Sequence, residues 1–167
     1  MFNNKSKIKP SLGSTIDFNH PLSQGLVGCW LFNEQAGNKI YDLAKDKNGN
    51  LLNGVLITPE NLGSLKFDGT NDYISFNTQP LSSTAFTVMM NVKLSSFTAQ
   101  GTKYRRLIAI NQSGYTFDNP FAFFVNDTGK LGYLFGNGAS NTEEMLTITG
   151  GPTLEINKWY HATLTFN

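Results

Sequence analysis

The sequence predicts an all-β sandwich, and three observations predict it. Aromatic residues make up 13% of the 167 residues and charged residues only 15%, so the chain is rich in strand formers and poor in the Glu, Lys and Ala that fill helices. Its 16 Gly and its Asn-Gly and Asp-Gly steps supply turns. Short apolar segments recur at roughly ten-residue spacing without a convincing helical period between them. The length suits one domain with a sizeable core.

Residues 1–20 are polar, carry Lys5, Lys7 and Lys9 and show neither period, so they read as an extended N-terminal arm, with residues 21–167 as the folded domain. "GLVGCWLF" (25–32), nearly apolar on both faces, is expected to be a central strand. "NEQAGNKIYDLAKDKNGNLLNGV" reads as a turn-rich loop with short strand pieces, its Asn48-Gly49 and Asn53-Gly54 steps accepting the positive φ of tight turns. "LKFDGTNDYISF" (65–76) places an Asp-Gly turn between two apolar stubs. "FTVMMNVKL" (86–94) alternates over nine positions, with Phe86, Val88, Met90, Val92 and Leu94 inward and Thr87, Met89, Asn91 and Lys93 outward.

"RRLIAI" (105–110) is a further strand, and "FAFFVNDTGKLGYLF" (121–135) a hairpin around Asn-Asp-Thr-Gly. "MLTIT" (145–149) follows. "WYHATLTF" (159–166) then alternates again, with Tyr160, Ala162, Leu164 and Phe166 on one side and Trp159, His161, Thr163 and Thr165 on the other. It carries no gatekeeping Lys or Pro, so either it pairs with a strand already present or the fold is unfinished, and the expectation is that at least one partner strand comes from a continuation of the chain or from another subunit.

A net charge of +1 and a pI near 7.8 give no footprint for nucleic acid, and no apolar run reaches the length of a membrane span. The opening residues lack the apolar segment of a secretory leader. Cys29, the single cysteine, excludes an internal disulfide and reads as a small buried hydrophobe with no positive neighbour to activate it.

The order of "GLVGCWLFNE", the Asn-Gly loop, "LKFDGTNDYISF", "FTVMMNVKL", "RRLIAI", "FAFFV…KLGYLF" and "KWYHATLTFN" resembles the laminin-G-like and pentraxin-like branch of the concanavalin A-like lectin/glucanase jelly rolls. The resemblance covers about residues 24–167 and rests most on the FDG-x-x-D-Y turn, the following F-T-V strand and the final W-x-H strand. It implies a jelly-roll sandwich of two antiparallel sheets, here lacking the C-terminal strands that close the family's fold. The stretch "HPLSQGLVGCWLFNEQAGNKIYDLAKDKNGN" also resembles the entry of laminin-G-like proteins of tailed phages.

Glucanases of this architecture are similar to one another in an E-x-D-x-x-E run that sets two carboxylates about 5 Å apart. No such run occurs here: Glu143 and Glu144 are adjacent and face opposite ways if extended, and Glu34 and Asp42 read as solvated loop charges. An enzyme is therefore not expected. By resemblance to pentraxins, "FDNPFAFF" offers Asp118 and Asn119 as calcium ligands, short of a full oxygen shell. Asp68, Asn71 and Asp72 read as turn formers first, with a second ion there as the alternative. His20 and His161 have no partners at zinc-ligand spacing, and His161 reads as a partly covered structural histidine. For sugar, Tyr104, Tyr115 and Phe117 offer ring platforms beside Asn111, Asp118 and Asn119; the alternative is that these aromatics cover the rim of the sandwich.

Together these features point to a non-enzymatic structural or adhesive module of a larger assembly, with a phage virion (capsid decoration, tail or fibre) as the setting. Its expected partners are other assembly subunits, through the arm and the terminal strand, and a cell-surface glycan. The alternative is a carbohydrate-binding module of a secreted bacterial surface protein or glycosidase.

Overall fold

The computed structural model describes residues 9–76, 85–97, 104–110, 121–136, 143–147 and 152–166. Antiparallel strands and turns dominate them, with short 3-10 turns at Pro21–Ser23 and Glu60–Leu62, so the fold is all-β and consistent with the predicted jelly-roll sandwich. No described helix is long and apolar enough to cross a membrane. The chain divides into two compact units, Met1–Ser82 and Ser83–Asn167.

In the first unit, β1 (Lys39–Ile40), β2 (Gly49–Leu52) and β5 (Tyr73–Phe76) form one antiparallel sheet in the order β1-β2-β5, and β3 (Leu56–Thr58) pairs with β4 (Ser64–Lys66). Asn53 and Gly54 turn the chain between β2 and β3 with φ of 64° and 114°, as the Asn-Gly step predicts. Gly49 differs. It lies inside β2, where a Cβ would stand 2.7 Å from Ile74 and 2.9 Å from Ile40, so the sheet needs a glycine there for close packing and not for a turn.

The expected strand 25–32 is also different. Its ladder is reduced to a single antiparallel bridge, Trp30 with Asp42, because the Asp42 carboxylate takes the Cys29 N–H at 2.7 Å and Phe32 turns left-handed at φ 54°. The Trp30 indole packs on Phe76 with centroids 5.0 Å apart and donates to the Lys47 carbonyl at 2.9 Å. Within the stretch read as an arm, Lys9 Nζ donates to the carbonyls of Leu31 and Gly63, and Asn33 Nδ2 donates to the Pro10 carbonyl, which ties residues 9 and 10 into this unit.

The second unit holds β6 (Phe86–Val92), β7 (Tyr104–Ile110), β8 (Phe121–Asn126), β9 (Leu131–Gly136), β10 (Glu143–Thr147) and β11 (Tyr160–Phe166). Four of them form an antiparallel sheet in the order β10-β9-β8-β7, with a bulge in β7 between Arg106 and Ile108, and β11 pairs with β6. The predicted hairpin is β8–β9. Asn126 Oδ1 closes it by accepting from the N–H groups of Thr128 (3.1 Å) and Lys130 (2.8 Å).

Strand β8 is buried along its length, with Phe123 and Val125 at 0% exposure, so it forms the centre of this unit's core. Phe86 of β6 meets Phe121 of β8 edge-on at 5.1 Å and stacks on Phe166 of β11 at 5.7 Å, joining the two sheets through three rings. Both alternations read in 86–92 and 160–166 hold: Ala162 and Leu164 are buried while Thr87, Met89, Asn91, His161, Thr163 and Thr165 are exposed.

Candidate functional site

The register of β6 and β11 determines what their outward residues can do together. His161 stands opposite Asn91, Thr163 opposite Met89 and Thr165 opposite Thr87. The pairing brings His161 Nδ1 to 3.0 Å from Asn91 Oδ1 and Thr87 Oγ1 to 3.1 Å from Thr165 Oγ1. At 3.0 Å from an amide oxygen, which can only accept, Nδ1 acts as the donor. Beyond the paired residues, Lys93 Nζ lies 5.6 Å from the centre of the half-buried Trp159 ring, a cation–π contact that holds the indole in place.

The result is a strip of hydroxyl, amide, imidazole and indole groups, with Met89, 64% exposed, as the apolar step in its middle. None of its eight residues is a carboxylate. Chemically such a strip can donate and accept hydrogen bonds and offer apolar area to a ring. The loop before β11 is itself fixed. Tyr160 Oη accepts from the Glu155 N–H at 2.9 Å, Asn157 N donates to the Leu94 carbonyl at 2.7 Å, and Lys158 pairs with Glu155 at 2.7 Å. That pairing holds the Glu155 carboxyl below its usual range and the Lys158 ammonium above.

The other residues singled out in the sequence are dispersed. Asp118, Asn119, Asn111, Tyr115 and Phe117 lie outside the described residues. Tyr104 is half-buried with its ring on Phe124, centroids 4.6 Å apart, an arrangement that covers the sheet. Asp68 accepts from the N–H groups of Thr70 (2.7 Å) and Asn71 (3.4 Å), and Asp72 from that of Asp68 (2.9 Å), so the Asp-Gly turn is built as predicted. Among the described residues no group of three or more His, Cys, Asp or Glu could hold a metal ion. His20 caps the 3-10 turn Pro21–Ser23, its Nδ1 accepting from Leu22 N at 3.2 Å. Glu143 and Glu144 are consecutive residues of β10.

Two expectations are corrected. Glu34 and Asp42 are not solvated loop charges but buried, at 8% and 6% exposure. Asp42 accepts from the N–H groups of Cys29, Ala44, Lys45 and Lys47, a full set of charge-assisted bonds that explains why a carboxylate is stable there. His161 is exposed and paired with Asn91, not a partly covered structural histidine. Sequence reasoning assigned the outward residues of each strand but not their partners, because no local pattern sets the register of strands 78 residues apart, as the Thr87–Thr165 contact shows.

Residues 68–167 match the family model Laminin_G_3 of the concanavalin A-like lectin/glucanases superfamily. No curated protein and no solved structure matches the chain. A domain of this type fits a carbohydrate-binding or adhesive module.

Proposed function

We propose, from the premise that the chain belongs to the concanavalin A-like lectin/glucanases superfamily, that it is a non-enzymatic adhesive module of a larger assembly and that the outward face of β6–β11 is its glycan-contacting surface. The observation that carries this is the cross-strand alignment of Asn91 with His161 and of Thr87 with Thr165 around exposed Met89, with Trp159 at one end. Sugar recognition asks for this chemistry: hydroxyl and amide groups for the ring hydroxyls and an apolar step for the C–H faces. The setting we propose is a phage virion, supported by the resemblance of residues 20–50 to the entry of laminin-G-like phage proteins; a secreted bacterial surface protein is the second setting.

Immunogold labelling of purified particles with an antibody to this chain tests the setting, with labelled virions expected. Incubation of the protein with oligosaccharides tests the absence of catalysis. Release of reducing ends that is lost in Glu143→Gln or Glu144→Gln would overturn that part.

A further inference from the structure

Residues 9–26 of the first unit are fastened to it by polar contacts at their beginning and by little else. None of them is buried, and Leu12, Phe18 and Leu22 are exposed. Their hydrogen bonds to one another are local: the Ser14 N–H goes to the Ser11 carbonyl, the His20 N–H to the Asp17 carbonyl and the Leu26 N–H to the Ser23 carbonyl. Among the described residues, their hydrogen bonds to the rest of the unit are made by Lys9 and Pro10 alone. Lys9 Nζ donates to the carbonyls of Leu31 and Gly63, and the Pro10 carbonyl accepts from Asn33 Nδ2 at 2.9 Å. The next anchor is Cys29, whose N–H goes to Asp42 at 2.7 Å and whose carbonyl accepts from the Leu43 N–H at 2.9 Å.

What lies beneath this segment differs from it. Residues 11–14 share a small cleft with Leu31, Glu34, Tyr41 and Leu43, and Glu34 is more than nine-tenths buried. Lys9 is close enough for the Glu34 charge to act on its ammonium, opposing the fall in pKa that burial causes. A segment with few buried apolar contacts opens at a small fraction of the cost of unfolding the unit that carries it. Gly25, left-handed at φ 76° and with open space where a Cβ would stand, gives the chain a pivot just before the Cys29 anchor.

We propose that residues 9–26 are a latched strap, which swings away about Gly25 as one piece while the rest of the first unit stays folded, with Lys9 as the latch and the Glu34 carboxylate uncovered on opening. The device is independent of the glycan-adhesion reading. Carbodiimide labelling of the full chain with glycine ethyl ester, read by mass spectrometry at Glu34 and at Asp42, tests it. Both carboxylates are buried, but the N–H groups that hold Asp42, those of Cys29, Ala44, Lys45 and Lys47, all lie outside the strap. Lys9→Met keeps the length of the side chain and removes the donor to both carbonyls. Labelling of Glu34 is expected to rise about tenfold or more, the loss of hydrogen bonds from a charged donor, with Asp42 unchanged and with Lys9→Arg, which keeps donors there, close to the wild type.

A second measurement needs no variant and decides the matter should Lys9→Met fail to fold. Below the unfolding midpoint of the wild type in urea, Glu34 labelling should rise less steeply with urea than Asp42 labelling, because a local opening exposes less surface than global unfolding. Unchanged Glu34 labelling in a folded Lys9→Met, equal acceleration at Glu34 and Asp42, or one urea slope for both carboxylates would each overturn the strap, the segment then opening only with the whole unit.

Discussion

His161 Nδ1 lies 3.0 Å from Asn91 Oδ1 across the β6–β11 pair, 70 residues away in sequence, on the face of the ribbon turned to solvent. A buried pair of this kind would be read as structural; an exposed one contributes little to stability, since water competes for both groups. Its consequence is geometric. The pairing sets the imidazole across from Asn91 on the same exposed face as Met89, Thr87 and Thr165.

Asp42 contrasts with that pair, being a carboxylate whose role is internal. Replacing it with alanine leaves the N–H groups of Cys29, Ala44, Lys45 and Lys47 without their acceptor, and the expected loss is about 3 kcal/mol or more of unfolding free energy. Chemical denaturation of Asp42→Ala and Asp42→Asn measures it, with the asparagine, which keeps one acceptor oxygen, losing less.

Gly132 illustrates what the sequence could not show. A Cβ there would come within 2.7 Å of two atoms of the Phe124 ring, which is itself fully buried and in contact with Tyr104 on its other side. Gly132→Ala should lower stability by about 1–3 kcal/mol, the usual cost of forcing an extra carbon into a packed site, and a thermal melt against the wild type checks it.

The fold class and the long strands were legible because alternation is a local property: 86–92 and 160–166 present their apolar residues to one side in the sequence as they do in the structure. The β8–β9 hairpin was legible from the Asn126, Asp127 and Gly129 of its loop, because turn chemistry is also local. Segment 25–32 was not, because its apolar pattern is that of a strand while its N–H at Cys29 goes to a side chain 13 residues later. The same non-locality hid the burial of Glu34 and Asp42 and the closeness of Gly49 to Ile74. Of the candidate site, the sequence named the outward residues of both strands, and the register that aligns them came only with the structure.

Asp68 makes part of the stability depend on acid. The Thr70 N–H, the Asn71 N–H and the turn around them hold its carboxyl below the ordinary value of 3.8. A carboxyl with a folded pKa below its unfolded one stabilises the fold fully above the unfolded value, and that contribution disappears as the pH falls through the folded value. Stability measured from neutral pH down through the range around and below 3.8 should therefore fall less steeply in Asp68→Asn than in the wild type.

Cys29 should be a slow thiol. Burial and the neighbouring Asp42 carboxylate both raise its pKa above the ordinary 9.0, which lowers the thiolate fraction at neutral pH. Alkylation by iodoacetamide followed by mass spectrometry is expected to be markedly slower than for free cysteine and to reach the free rate in denaturant.

The adhesive role of the β6–β11 face is tested most directly by titrating the wild type and an Asn91→Ala/His161→Ala double variant against an array of immobilised neutral glycans. Both residues are exposed, so the variant is expected to keep the wild-type melting temperature within a few degrees while its binding falls about tenfold or more. Equal binding by the folded double variant, or no binding by the wild type, would contradict the assignment of this face.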